Sequence, residues 1–102
     1  MRNFFRPDIP PHIATVIRSL NPDLRRSIRA AIDEIATNPE CGEPLRGELN
    51  AYWKYRVRRF RIIYGVDRRK RKIRIMAIAH RRDVYEQLAI QLKDERLKRL
   101  EK

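Results

Sequence analysis

Cysteine is nearly missing from this chain: Cys41 is the only one in 102 residues. An intrachain disulfide is therefore excluded, as is a thiolate metal cluster within one chain. Histidine is also scarce, with His12 and His80 alone, so no metal centre of ordinary ligand type and no cofactor is expected. Repeats, low-complexity tracts and linkers are absent, and no apolar run reaches membrane-spanning length. The residues around Arg2 do not resemble a signal peptide. A cytoplasmic protein without membrane contact is the expectation.

Acidic residues are few as well, 13 Asp and Glu against 25 Lys and Arg, leaving a net charge of +12. Such a balance predicts attraction to polyanions that weakens as salt rises. By itself it suits a ribosomal protein, a DNA-binding protein or a toxin held by an acidic partner equally well. The charge is regional, however. Residues 45–74 carry twelve Lys or Arg against Glu48 and Asp67, so most of the surplus lies in one stretch. A binding surface accounts for that better than a uniformly soluble coat.

The length fits one domain, 1–102, with one ordinary core. Asn3 to Arg6 reads as a short first strand, with Phe4 and Phe5 available to the core. Pro7, Pro10 and Pro11 stop pairing and lead into a helix, since proline fits a first helical turn. Ile13, Val16, Ile17 and Leu20 recur at helical spacing. Asn21-Pro22-Asp23 breaks that helix and opens another, whose stripe is Leu24, Ile28, Ala31, Ile32 and Ile35, with Arg25, Arg26 and Arg29 outward. Asn38-Pro39 ends it, and so short a connection predicts an antiparallel helical hairpin.

Beyond Pro39 the period changes to two. Trp53, Tyr55 and Val57 alternate with Lys54, Arg56 and Arg58; Phe60, Ile62, Tyr64 and Val66 alternate with Arg61, Ile63, Gly65 and Asp67. Cations on one face and aromatic or β-branched residues on the other describe a half-packed strand. Like charges crowded on a sheet face repel, so an anion is their natural complement. After a basic turn at 68–72, Ile73 to Ala79 is almost wholly apolar, as in a more deeply buried strand. From about Asp83 helical spacing returns through Val84, Leu88 and Leu92, then Leu97 and Leu100. The order is β-α-α-β-β-β-α, an α+β domain with an antiparallel sheet packed against the helical hairpin and all helices on one sheet face.

Several of these segments together resemble the RelE/ParE superfamily of toxins from toxin–antitoxin pairs. They are Asn38-Pro39, Leu45-Arg46-Gly47-Glu48-Leu49, Trp53-Lys54-Tyr55-Arg56-Val57, Phe60-Arg61-Ile62-Ile63-Tyr64 and His80-Arg81-Arg82-Asp83-Val84-Tyr85, in that order and spacing. The likeness is nearer to the RelE branch, which implies a metal-independent endoribonuclease that cleaves mRNA on the ribosome and inhibits translation. ParE-type relatives share the fold but poison DNA gyrase without nuclease chemistry. By motif position, Lys54 and Arg56 match the cation pair of the first long strand, and Arg61 the phosphate-contacting arginine of the next. Arg81 matches the arginine after the last strand, and Tyr85 the tyrosine used in cleavage. Arg46, Arg58, Arg59, His80 and Arg82 are then assigned to holding RNA. The resemblance also implies a cognate antitoxin as partner, mRNA and rRNA as ligands, and operator DNA bound by the toxin–antitoxin complex through the antitoxin.

Three departures stand out. Arg56 takes a position where some relatives have lysine, which keeps the charge but not the ability to lose a proton. Arg58-Arg59 occupy a hairpin turn where many members have glycine followed by a small polar residue. Two arginines suit positive φ poorly, so a wider turn, or one drawn outward toward RNA, is expected. The short, proline-bounded first strand leaves the sheet edge open.

Metal-free RNA cleavage needs an aligned 2′-hydroxyl, stabilisation of developing negative charge, and a proton for the leaving 5′-oxygen. Alternation places Lys54, Arg56 and Arg58 on one face about 6–7 Å apart, with Arg61 beside them if the turn keeps register. Arginine is a poor general base because it stays protonated. Proton work falls to Tyr85, with Lys54 a second candidate, Arg81 beside the leaving group and His80 in reserve; His80 and Arg81 alternate and need not face the same way. The plainer readings are a face that is merely solvated, a Tyr85 packed in the core, and a structural His80. A non-catalytic RNA- or ribosome-binding module is the third functional class the charge supports.

Overall fold

Proline and asparagine set where the helices of this chain begin. The computed structural model describes residues 4–80 and 82–100, the side chains of the last three excepted. Helix α1 (Pro11–Ser19) starts on Pro11, and α2 (Pro22–Thr37) on Pro22. Asn21 caps α2 by accepting the Leu24 N–H at 2.9 Å, satisfying one of the donors a helix start leaves unpaired. Ile13 and Ile17 from α1 are buried with Leu24, Ile28, Ala31, Ile32 and Ile35 from α2, as the helical periodicity requires. Arg26 and Arg29 stand exposed on the far side.

The strands are β1 (Arg6–Asp8), β2 (Glu43–Pro44), β3 (Tyr52–Val57), β4 (Phe60–Asp67) and β5 (Lys72–His80), followed by α3 (Val84–Leu100). They form one sheet in the order β1-β5-β4-β3-β2. The pairs β2–β3, β3–β4 and β4–β5 are antiparallel, whereas β1 joins β5 in parallel. The first strand thus begins at Arg6, later than the expected Asn3 to Arg6; the part of that expectation on Asn3 lies outside the described residues. Phe5 is buried and its N–H bonds the Ala36 carbonyl at 2.9 Å, which ties the segment to α2 before pairing starts. The sheet also gains β2, which its two-residue length concealed. Both edge strands are short and contain proline, Pro7 and Pro44, a combination that discourages pairing with another chain.

Helices cover both faces of this sheet, not one. The α1–α2 hairpin packs on Val57, Ile62, Tyr64, Ile73, Ile75 and Ile78. On the opposite face Val84 and Leu88 of α3 pack on Ile63, Met76 and Ala77, with Leu45 beside them. Ile62 and Tyr64 alternate with Ile63, so β4 is apolar on both sides and needs both covers. A register shift at Ile63/Tyr64 leaves Met76 unpaired, so that the adjacent Met76 and Ala77 both join the core on the α3 side. Along α3 the inward positions continue through Gln91, Leu92 and Glu95, while Leu97 is half exposed. Leu97 sits two residues, some 200° of helical turn, past Glu95 and so leaves the stripe. Arg74 of β5 anchors the helix through a 2.7 Å ion pair with Glu95.

Candidate RNA-binding and cleavage site

The β3–β4 ladder decides which cations meet. Lys54 pairs with Ile63, and Arg56 with Arg61, so these side chains share the sheet face on which α3 packs. Arg61 in turn pairs with Ala79 of β5. Helix α3 covers the Ile63–Ala77 row, and the small Ala79 leaves the next row, with Arg56 and Arg61, open. The alternation thus keeps register through the turn, and Lys54, Arg56 and Arg61 stand together as expected.

Three contiguous recesses run along this open face. The first, about 600 Å³, is lined by Arg56, Arg58, Arg59, Arg61, His80, Arg82 and Asp83. The second, about 410 Å³, shares Arg56 and Arg61 with the first and adds Glu43 and Lys54. The third, about 390 Å³, shares Glu43 and Lys54 with the second and extends to Pro44, Leu45, Arg46, Leu49 and Tyr85. They form one groove that collects every site residue expected from the sequence except Arg81, which lies outside the described residues. Tyr85 is 47% exposed at its far end, so the reading of Tyr85 as core is excluded.

Two local features differ from expectation. The β3–β4 connection is neither wide nor splayed: Val57 pairs directly with Phe60 across a two-residue turn. Arg58 accommodates that tight turn by adopting φ of 56°, a left-handed conformation costing roughly 1–2 kcal/mol in a residue with a Cβ. Strain of this kind clusters at functional positions. Arg58 also stands in the turn and not on β3, reaching the groove from its end. His80 lies opposite Phe60 with ring centroids 4.4 Å apart, so it has a packing contact while also lining the groove.

The sequence reading missed Glu43. It is the carboxylate at the junction of the second and third recesses, and its Cα partner is Lys54. Its placement depends on a buried node: the Tyr64 hydroxyl donates to the Pro39 carbonyl at 2.7 Å and accepts the Gly42 N–H at 3.2 Å. Gly42 sits so close to β3 that a Cβ there would lie 2.5 Å from both the Lys54 carbonyl oxygen and the Tyr64 hydroxyl. Burial pushes the Tyr64 phenol up, well away from ionisation near neutrality. Burial, with the charge of Glu34, also pushes the Cys41 thiol up, which disfavours thiolate chemistry there. The signal that could have found Glu43 was a lone acid followed by proline just before the basic strand.

On the opposite face, Trp53 and Tyr55 pack against the core and Tyr64 is fully buried, which fits core roles over base stacking. The Tyr55 hydroxyl donates to Glu34, and that bond holds the phenol up at about 12. Among the described residues, no group of three or more His, Cys, Asp or Glu is placed to hold a metal ion. No helix among them is long and apolar enough to cross a membrane.

Comparison with known proteins agrees with the fold. Residues 8–85 match the family model described as the ParE toxin of type II toxin–antitoxin systems, parDE. The toxin–antitoxin complex RelBE2 from Mycobacterium tuberculosis contains a similar chain, with a TM-score of 0.68 at 20% identity, covering 76% of this chain and 92% of that one. A mutant of the toxin RelE from E. coli, in the free state, is similar with a TM-score of 0.72 at 19% identity, covering 86% and 97%. At such identity the two structures speak for the fold. No curated protein sequence matches the chain.

Proposed function

The chain belongs to the ParE toxin family of type II toxin–antitoxin systems, within the RelE/ParE superfamily, and from that premise we propose that it is a metal-independent endoribonuclease. The observation that carries this reading is the groove itself, in which Lys54, Arg56 and Arg61 share one recess with Glu43 and Tyr85 lies at its end. The substrate is mRNA engaged on the ribosome, and the outcome is arrest of translation. As a toxin of such a pair the protein has an antitoxin partner; operator DNA bound through that antitoxin, and action in the cytoplasm, extend the same proposal.

The reaction is an internal transesterification. The 2′-oxygen forms a bond to its neighbouring phosphorus, the bond from phosphorus to the 5′-oxygen breaks, and the products are a 2′,3′-cyclic phosphate and a 5′-hydroxyl. Arg61 and Arg56 hold the phosphate and stabilise the charge that grows on its oxygens; one pre-aimed donor of this kind is worth about 3–4 kcal/mol. Lys54 positions the strand of RNA beside them. A carboxylate can accept a proton where a guanidinium cannot, so Glu43 is the base that takes the 2′-hydroxyl proton. Tyr85 donates to the leaving 5′-oxygen or stacks on the adjoining base, and Arg81 serves as leaving-group partner. Arg46, Arg58, Arg59, His80 and Arg82 extend the phosphate contacts along the groove.

The match to the ParE model favours a second reading, a gyrase inhibitor that does no chemistry. Inducing the protein in a translating extract and mapping mRNA 5′ ends separates the two. Breaks within codons at stalled ribosomes, lost in Arg61→Ala, are expected. Intact mRNA with accumulating gyrase–DNA breaks would establish the alternative, and neither outcome would leave a non-catalytic RNA-binding module.

A further inference from the structure

The groove holds one charged side chain that the reaction above leaves idle. Asp83 lines the recess of about 600 Å³ together with Arg56, Arg58, Arg59, Arg61 and Arg82, a single carboxylate set among guanidiniums. Its backbone is fixed on both sides. The Asp83 N–H donates to the His80 carbonyl at 2.8 Å, and the Asp83 carbonyl accepts the Gln87 N–H at 3.0 Å, just before α3 begins at Val84. An aspartate at a helix start commonly caps it by accepting an N–H of the first turn. Asp83 does not, because among the described residues its carboxylate enters no hydrogen bond and no ion pair. The side chain is exposed, and neither helix capping nor pairing with the arginines accounts for its place in the groove.

A carboxylate repels the phosphates that the arginines hold, so its complement is a hydrogen-bond donor carried by the same ligand. An acidic protein segment would bring its own carboxylates against Asp83. A nucleotide instead joins a phosphate to a base edge bearing N–H groups. The four edges differ in what they offer. Uracil has one N–H between two carbonyl oxygens, and adenine and cytosine each set an amino group beside an acceptor nitrogen. Guanine alone presents two donors side by side, N1–H and an N2 amino hydrogen, which match the two oxygens of an acceptor-only carboxylate. We propose that Asp83 reads the base of the nucleotide next to the phosphate held by Arg56 and Arg61, selecting guanine by accepting N1–H and N2–H with its two carboxylate oxygens. The assignment rests on the reading of the groove as an RNA site and adds its base preference; it requires that the groove bind RNA, not that it cut.

The test is binding of short fluorescent 2′-O-methyl oligouridines, which resist internal attack, to the full chain and its variants by anisotropy. Their central base is uracil, guanine, hypoxanthine, adenine or cytosine. The parent should bind the guanine oligomer about five-fold to 150-fold more tightly than the uracil one, the range for one bidentate base contact. Hypoxanthine, which lacks the N2 amino group, should fall between them. Asp83→Ala should abolish the preference. Asp83→Asn offers one acceptor and one donor, and should move the preference from guanine to adenine or cytosine, a switch that a change in charge or folding alone would not produce. Equal affinities in the parent, no measurable binding of the guanine oligomer, or a guanine preference kept in Asp83→Ala would overturn the assignment. Mapping mRNA 5′ ends on ribosomes keeps the proposed cleavage separate. Guanine preference with mRNA left intact would overturn the enzyme and keep Asp83 as the reader, whereas cleavage without that preference would overturn the role of Asp83 alone.

Discussion

Arg56 and Arg61 are direct cross-strand partners in the β3–β4 ladder, two like charges opposed where a stable sheet would place a complementary pair. Such opposition costs of the order of 0.2–1 kcal/mol, and the fold carries that cost at the centre of its groove. Arg56→Glu should therefore stabilise the protein by about 0.5–1 kcal/mol, visible as a raised midpoint in urea unfolding, while RNA cleavage is lost. A destabilised variant would show that the two guanidiniums are held by packing and do not repel.

The strained turn beside them makes a similar prediction. Arg58 holds φ of 56°, a conformation glycine adopts without steric cost. Arg58→Gly should leave stability unchanged or raise it by up to about 1 kcal/mol, relief of strain being partly offset by the freer unfolded chain. It should also weaken RNA binding by removing a cation from the groove mouth. Denaturant midpoints and anisotropy on the same preparations check both parts.

The Tyr64 node should link stability to catalysis through Glu43. Tyr64→Phe removes the bonds to Pro39 and Gly42 and strands both partners, for a loss of about 1–3 kcal/mol. Gly42→Ala drives a Cβ into the Lys54 backbone and must shift β2. We expect both variants to lose kcat beyond what their stability explains, and Glu43→Gln to lose kcat with stability nearly intact. Cleavage rates measured well below each variant's unfolding transition provide the comparison.

Tyr55 offers a pH signature away from the groove. Its phenol is held at about 12, first by the bond to Glu34 and then by burial. A folded value above the unfolded one favours the protonated form, so the contribution is complete below pH 10 and fades as pH rises toward 12. The difference in near-ultraviolet absorbance between the parent and Tyr55→Phe should titrate near 12, and Glu34→Gln should bring that midpoint down. A midpoint unaffected by Glu34→Gln would remove the proposed cause.

What was legible beforehand follows from the range of each interaction. Alternation over Tyr52–Val57 and Phe60–Asp67 put Arg56 beside Arg61 because period two is a local property of a strand. Proline and asparagine at 21–22 marked the second helix for the same reason. Glu43 was hidden because β2 has two residues, and its position follows from the closeness of Gly42 to β3 and from Tyr64, far along the chain. The Met76 irregularity, which sends both Met76 and Ala77 to the core on the α3 side, likewise depends on partners distant in the chain. Arg58 at positive φ contradicted its local preference, as happens where the pairing of Val57 with Phe60 overrides it.

The most direct test uses two mRNAs that differ by a single 2′-deoxy substitution at the mapped cut, loaded on ribosomes and incubated with the protein and with Arg61→Ala. The account predicts that the all-ribose RNA yields a 2′,3′-cyclic phosphate and a 5′-hydroxyl, and that the deoxy RNA and the Arg61→Ala reaction yield neither. Cleavage of the deoxy RNA at the same position, or no cleavage of either RNA on translating ribosomes, would contradict it.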